Sequence, residues 1–246
     1  MRILYLYPGP LSATNGGADE LRRRELLLRT WAAPDVTVDV RDTTAPDGTA
    51  TGPLSFETSY EGYLALPGAV AALDRADADG YDAAILGCFG DPALEAVRER
   101  MDRLPVVGPG AASCHLAAQL GEMFGIVTTS ARFLTPARRL VAQLGLSTRC
   151  TDIAVVDQAP RDMGDDTADR VRIAADRMLD AGADTLVLGC LTLGFLSLAE
   201  RLTADLGLPV VNPARAALST AEALIRSGLR PSTVAYPTPR GTILTT

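Results

Sequence analysis

Short runs of β-branched and leucine residues alternate with longer helical patterns along the whole chain. The runs lie at 2–7, 36–41, 83–87, 105–108, 124–129, 152–156, 184–189 and 209–212. The helical patterns fall near 17–32, 62–78, 92–103, 110–121, 131–144, 165–181, 195–206 and 213–227. The runs lack the strict alternation of a half-exposed sheet, so they read as strands buried on both faces. Strands of that kind, spaced by helices, predict a parallel sheet covered on each side. The segment 43–60, richer in Thr, Gly, Pro and Ser, reads as a long loop.

The pattern repeats. Asp82-Ala83-Ala84-Ile85-Leu86-Gly87-Cys88 matches Asp184-Thr185-Leu186-Val187-Leu188-Gly189-Cys190, and Leu104-Pro105-Val106-Val107-Gly108-Pro109 matches Leu208-Pro209-Val210-Val211-Asn212-Pro213. The two matches share nearly one offset. They predict an α/β fold of two pseudo-symmetric Rossmann-like lobes, each a parallel sheet flanked by helices, with a cleft between them.

A parallel strand ending in Gly-Cys presents its cysteine at the carboxyl end, where open α/β sheets bind ligands. Lobes that face each other bring Cys88 and Cys190 to one cleft from opposite sides. Two thiols so placed suit racemisation or epimerisation: a thiolate takes a proton from a carbon acid, and the opposite thiol returns one to the other face. Asp91 and Pro92 read as the start of a helix just after Cys88, and Thr192 as a cap after Cys190. A helix N-terminus favours thiolate. An ordinary thiol is only ~3 % ionised at pH 7, and lowering its pKa by ~1.5 units makes half of it a base. Either cysteine alone would pass for a buried strand end; the repeated Leu-Gly-Cys context favours function. Cys114 and Cys150 lack that context and read as structural. His115 reads as a helix residue outside the site.

Composition narrows the chemistry. The 246 residues are 47 % apolar, enough for a sizeable core. All 23 basic residues are arginine, which excludes lysine Schiff-base chemistry, pyridoxal-phosphate catalysis and a P-loop. A single histidine leaves no multi-histidine metal site, and a Ser-His-Asp triad only if His115 is its base. The net charge of −7 argues against nucleic acid. Arg22-Arg23-Arg24, flanked by Glu20 and Glu25, reads as a solvated helix face. No apolar run approaches a membrane span, and Met1–Gly9 reads as a first strand rather than a signal peptide. The expectation is a cytoplasmic protein with free thiols.

Several blocks resemble the hydantoin racemase branch of the aspartate/glutamate racemase superfamily. They are Gly87-Cys88-Phe89-Gly90-Asp91-Pro92-Ala93-Leu94, Pro105-Val106-Val107-Gly108, Phe124-Gly125-Ile126-Val127-Thr128-Thr129 and Leu188-Gly189-Cys190. Gly52-Pro53-Leu54-Ser55-Phe56-Glu57 and the stretch Ala221-Glu222-Ala223-Leu224 before Gly228-Leu229 fit as well. The resemblance spans nearly the whole chain. It implies cofactor-independent proton transfer between Cys88 and Cys190, no metal, a small-molecule substrate and a homo-oligomer. It also implies a C-terminal segment that returns to the first lobe, hence lobes of 1–109 plus 214–246 and of 110–213. Substrate-binding positions on this reading are Pro8, Gly9, Ser55, Phe89, Gly90, Thr128, Thr129, Leu191 and Thr192. Hydroxyls and amides near Thr128 and Thr129 could hold an enolate oxygen.

The chain also departs from the branch. Tyr7-Pro8-Gly9-Pro10 stands where the family usually has Asn-Pro-Asn, and Pro109-Gly110-Ala111 where a glutamate is usual. Leu191-Thr192-Leu193 after the second cysteine argues against an acidic substrate. The sequence places no arginine in the cleft. The expected function is racemisation or epimerisation at the carbon alpha to a carbonyl, on a hydantoin-like or amino-acid-derived molecule. The alternatives are a cysteine-dependent decarboxylase or cis-trans isomerase of the same fold, and a non-catalytic small-molecule binding protein.

Overall fold

The structure is a computed structural model and describes residues 1–158, 163, 164 and 166–239. The strands are β1 (Arg2–Leu6), β2 (Thr37–Arg41), β3 (Ala83–Leu86), β4 (Val106–Val107), β5 (Phe124–Thr128), β6 (Cys150–Val155), β7 (Thr185–Leu188) and β8 (Val210–Val211). They form two four-stranded sheets, ordered β2-β1-β3-β4 and β6-β5-β7-β8, and every pairing is parallel. The sequence repeat is therefore a repeat of topology. The two central strands of each sheet carry only buried residues, apart from exposed Arg2 at the start of β1. This is why they read as unbroken apolar runs rather than alternating ones.

The helices are α1 (Gly17–Trp31), α2 (Ser59–Ala78), α3 (Leu94–Arg100), α4 (Pro109–Leu120), α5 (Leu134–Gln143), α6 (Thr167–Asp180), α7 (Leu191–Gly194), α8 (Leu198–Leu206) and α9 (Pro213–Ser227). Residue 165, where the sequence pattern starts the sixth helix, and 240–246, expected in the first lobe, lie outside the described residues. α2 starts three residues before its pattern because Thr58 and Glu61 form a capping box: each side chain meets the other's backbone N–H. The stretch expected as a helix over 195–206 is helical only from Leu198, because Ser197 is left-handed with φ 55°; the short α7 before it ends at Gly194.

Three hydrophobic clusters hold the layers together. One lies between α2, α3 and the outer face of the first sheet. Another joins α6 and α8 to the outer face of the second. The largest runs between the sheets and includes Tyr5, Ile85, Cys114, Ile126, Val187, Ala217 and Leu218. Its middle is built by α4 and α9, which pack on each other. Both helices open with proline at the first position, which suits a chain passing directly from strand to helix. Among the described residues, no helix is long and apolar enough to cross a membrane.

Candidate active site

Four strands run out towards one region. β1 ends in Tyr7-Pro8-Gly9, β3 in Gly87-Cys88, β5 in Thr128-Thr129 and β7 in Gly189-Cys190. The glycine before each cysteine extends the pairing by one bond. Gly87 N–H donates to the Leu6 carbonyl and Gly189 N–H to that of Val127, each at 2.7 Å. Neither position has room for a side chain. A Cβ on Gly87 would lie 2.5 Å from the Tyr5 ring, and one on Gly189 2.7 Å from Ile126 Cγ2. The Leu-Gly-Cys motif is thus a packing requirement as well as a display of sulfur.

The two cysteines, both partly exposed, sit in different surroundings. Cys88 opens a loop in which Asp91 and Ala93 are left-handed, with φ of 46° and 54°. α3 starts only at Leu94, so no helix N-terminus stands at this thiol, contrary to the expectation from sequence. Asp91 does not cap α3 either. Its carboxylate accepts the amides of Gly110 at 2.9 Å and Ala111 at 2.7 Å, and so caps α4. Burial pushes the Cys88 thiol up to about 12; the Gly90 amide pulls it down, while the charges of Asp91 and Cys190 push it up. The expected acidification is absent at Cys88, which rests as a thiol. The mutual repulsion of the two sulfurs disfavours a doubly ionised pair.

Burial likewise pushes the Asp91 carboxyl up to about 7, opposed by its two amide donors and by Arg98. A carboxyl whose pKa is raised on folding adds stability below its unfolded value near 4 and loses it as pH rises through 7. The stability gap between the wild type and D91A should therefore shrink from pH 4.5 to pH 7.5, by on the order of a few kcal/mol. Urea unfolding at the two pH values measures it. An unchanged gap would mean that α4 keeps the carboxylate ionised throughout.

Cys190 stands at the N-cap position of the four-residue α7, with extended backbone. Thr192 lies inside α7 rather than capping it, and its Oγ1 accepts a bond from Arg24 Nη2 at 3.4 Å. Leu191 is packed in the core between the sheets, and Phe89 lies there too, edge-on to Phe133 with ring centroids 6.2 Å apart. Gly90 packs against Phe133 beside the sulfur: a Cβ there would lie 2.9 Å from Phe133 and 3.9 Å from Cys88 Sγ. Pro8 and Gly9 are buried, and Gly9 is closed over by Pro53 and Phe56. Tyr7 holds that loop, donating from its hydroxyl to the Leu54 carbonyl at 3.1 Å. Ser55 is exposed on the same loop. Thr128 is buried and donates to the Gly189 carbonyl at 3.3 Å, which steadies the turn into Cys190. Thr129, also buried, follows it.

Three residues beside the site escaped the sequence reading: Tyr5, Tyr7 and Arg24. Arg22 is exposed and Arg23 half-exposed, but Arg24 is only 4 % exposed, so the solvated-face reading fails for it. Its guanidinium lies 5.5 Å from the Tyr7 ring centroid and 4.8 Å from that of Phe195. Burial raises the Tyr5 hydroxyl to about 12 and raises that of Tyr7 further; Arg24 pulls both down, and both cysteines push both up. Each tyrosine thus senses the arginine and both sulfurs. Cys114 is fully buried on α4, Cys150 starts β6 at its opposite end from the site, and His115 is exposed. Among the described residues no group of His, Cys, Asp or Glu is placed to hold a metal ion.

The Asp/Glu/hydantoin racemase family profile matches residues 17–221. A hydantoin racemase from Pseudomonas sp. (strain NS671) is 32 % identical over 193 residues, 76 % of each chain. Allantoin racemase from Klebsiella pneumoniae superposes with a TM-score of 0.87 at 29 % identity, covering 100 % of this chain and 96 % of that one. Allantoin racemase from Pseudomonas fluorescens gives a TM-score of 0.83 at 27 % identity, with both chains fully covered.

Proposed function

The chain belongs to the Asp/Glu/hydantoin racemase family and is an isomerase of the racemase type, and from that premise we propose that it racemises a hydantoin- or allantoin-like ring through Cys88 and Cys190 without a cofactor. The carrying observation is the repeated Leu-Gly-Cys strand end, which has the same ladder bond and packing constraint in both sheets. One sulfur, as thiolate, takes the proton from the carbon alpha to the ring carbonyl. The C–H electron pair moves into the carbonyl and gives an enolate. The opposite thiol donates its proton to the other face, the carbonyl re-forms, and the pair is left with its protonation reversed. The raised thiol of Cys88 suits the donor state, and repulsion between the sulfurs favours one shared proton. Gly90, Thr128 and Thr129 are the proposed neighbours of the ring, with Pro8, Gly9, Ser55 and Thr192 around it. The functional lobes are proposed as 1–109 with 214–246, and 110–213. The packing of α9 on β3 and β4, and of α4 on β5, β7 and β8, supports this division.

The test is incubation with single enantiomers of 5-substituted hydantoins and of allantoin in deuterium oxide, followed by NMR and polarimetry. The α-proton should exchange as optical rotation decays, and EDTA dialysis should leave both unchanged. Iodoacetamide should abolish both, with substrate shielding Cys88 and Cys190 but not Cys114 or Cys150. Failure to exchange with either ring class, or shielding mapped to Cys114 or Cys150, would overturn the proposal.

A further inference from the structure

The charge around Arg24 does not balance. Glu20 is shared: Oε1 accepts from Arg24 Nε at 2.8 Å and from Arg23 Nη2 at 2.9 Å, and Oε2 accepts from Arg23 Nε at 2.7 Å. One carboxylate thus serves two guanidinium groups. Arg23 is half-exposed and water offsets its charge, but Arg24 is sealed between Tyr7 of one lobe and Phe195 of the other. The adjacent Tyr5 and Tyr7 hydroxyls are held neutral and supply no negative charge. A buried cation with half a share of one carboxylate is costly unless another anion arrives. Arg24 reaches towards the place where one forms: its Nη2 meets Thr192, two residues beyond Cys190. Its neighbour Tyr5 lies under Gly87, next to Cys88.

We infer that Arg24 supplies the fixed counter-charge for the single negative charge the site carries through turnover, first on sulfur and then on the enolate oxygen. This rests on the two-cysteine reading, in which proton abstraction moves that charge without changing its amount. The groups facing it are Glu20 and Arg23 on α1, Tyr5 and Tyr7 on β1 and its extension, and Thr192 on α7, two residues after Cys190. Cys88 and Asp91 stand beyond Tyr5. Arg24 is a positioning residue here, acting through the field it sets up at the thiols.

The experiment uses the full-length R24Q and R24K variants. It measures the pH dependence of iodoacetamide alkylation at both cysteines, then kcat and KM. R24Q should move the alkylation midpoint of at least one site cysteine up by about one to two pH units, and lower kcat at pH 7 about 10- to 100-fold with KM little changed. R24K, which keeps the charge but loses the fork, should stay within a few-fold of wild type. An unmoved midpoint in folded R24Q, or a loss confined to KM, would overturn the inference. Should R24Q fail to fold by near-ultraviolet circular dichroism, R24K decides: wild-type midpoints support the inference, and a loss above tenfold overturns it. A shifted midpoint in R24Q, with no proton exchange by the wild type, would leave Arg24 as the counter-charge and remove the racemase mechanism instead.

Discussion

Serine in place of Cys88 or Cys190 is expected to lower net racemisation about a thousandfold or more, while each variant still exchanges the α-proton of one enantiomer. A hydroxyl is far too weak a base near neutral pH to replace a thiolate. C88S therefore loses abstraction from the enantiomer whose proton faces residue 88, and loses the efficient donor for the other. The surviving Cys190 can still take a proton from its own face and return a solvent deuteron to the same face, with retention of configuration. C190S should do the same for the opposite enantiomer. Deuterium incorporation into each pure enantiomer, read beside optical rotation, separates the two. Equal exchange of one enantiomer by both variants, or full racemisation by either, would leave a one-cysteine reaction as the better account.

Alanine at Gly87 should cost about 3 kcal/mol of stability and most of the activity. The added methyl meets the Tyr5 ring at 2.5 Å and the Tyr5 hydroxyl at 2.6 Å, and Tyr5 is itself fully buried, edge-on to Phe195. Something must move, and the nearest movable group is the Cys88 turn. For a chain of this size the expected fall in melting temperature is roughly 6–12 °C. G189A meets Ile126 Cγ2 at 2.7 Å and the Val127 carbonyl at 3.1 Å, and should cost somewhat less. G228A is the control. Gly228 is left-handed at φ 63° with open space around it, so alanine costs about 1 kcal/mol of backbone strain and leaves activity intact. Calorimetry on the three variants tests this order, and equal losses would remove the packing argument.

The sheets were legible because their central strands are buried on both faces and cannot hide polar residues among the apolar ones. The repeat was legible because both glycines answer the same steric demand. Arg24 was not, since three adjacent arginines look like a wet surface. Successive helix positions turn by 100°, however, and Leu21, Arg24 and Leu28 fall on one buried stripe. The apolar neighbours three and four positions away were the available signal. Asp91 was misread because its partners, Gly110 and Ala111, lie on the far side of α3 and β4 in the chain. Local cap patterns cannot report a carboxylate that reaches across 19 residues. The absence of a helix start at Cys88 follows from the same loop, whose left-handed Asp91 and Ala93 hold the chain out of the helix until Leu94.

The unlike surroundings of the two sulfurs meet a constraint from outside the protein. Mirror-image substrates have equal free energies in water, so the equilibrium constant of racemisation is one and kcat/KM must be the same in both directions. A loop with a buried carboxyl on one side and a short helix tied to an arginine on the other cannot make the enzyme favour one hand overall. The asymmetry can appear only as paired changes, a faster turnover of one enantiomer matched by its proportionally weaker saturation.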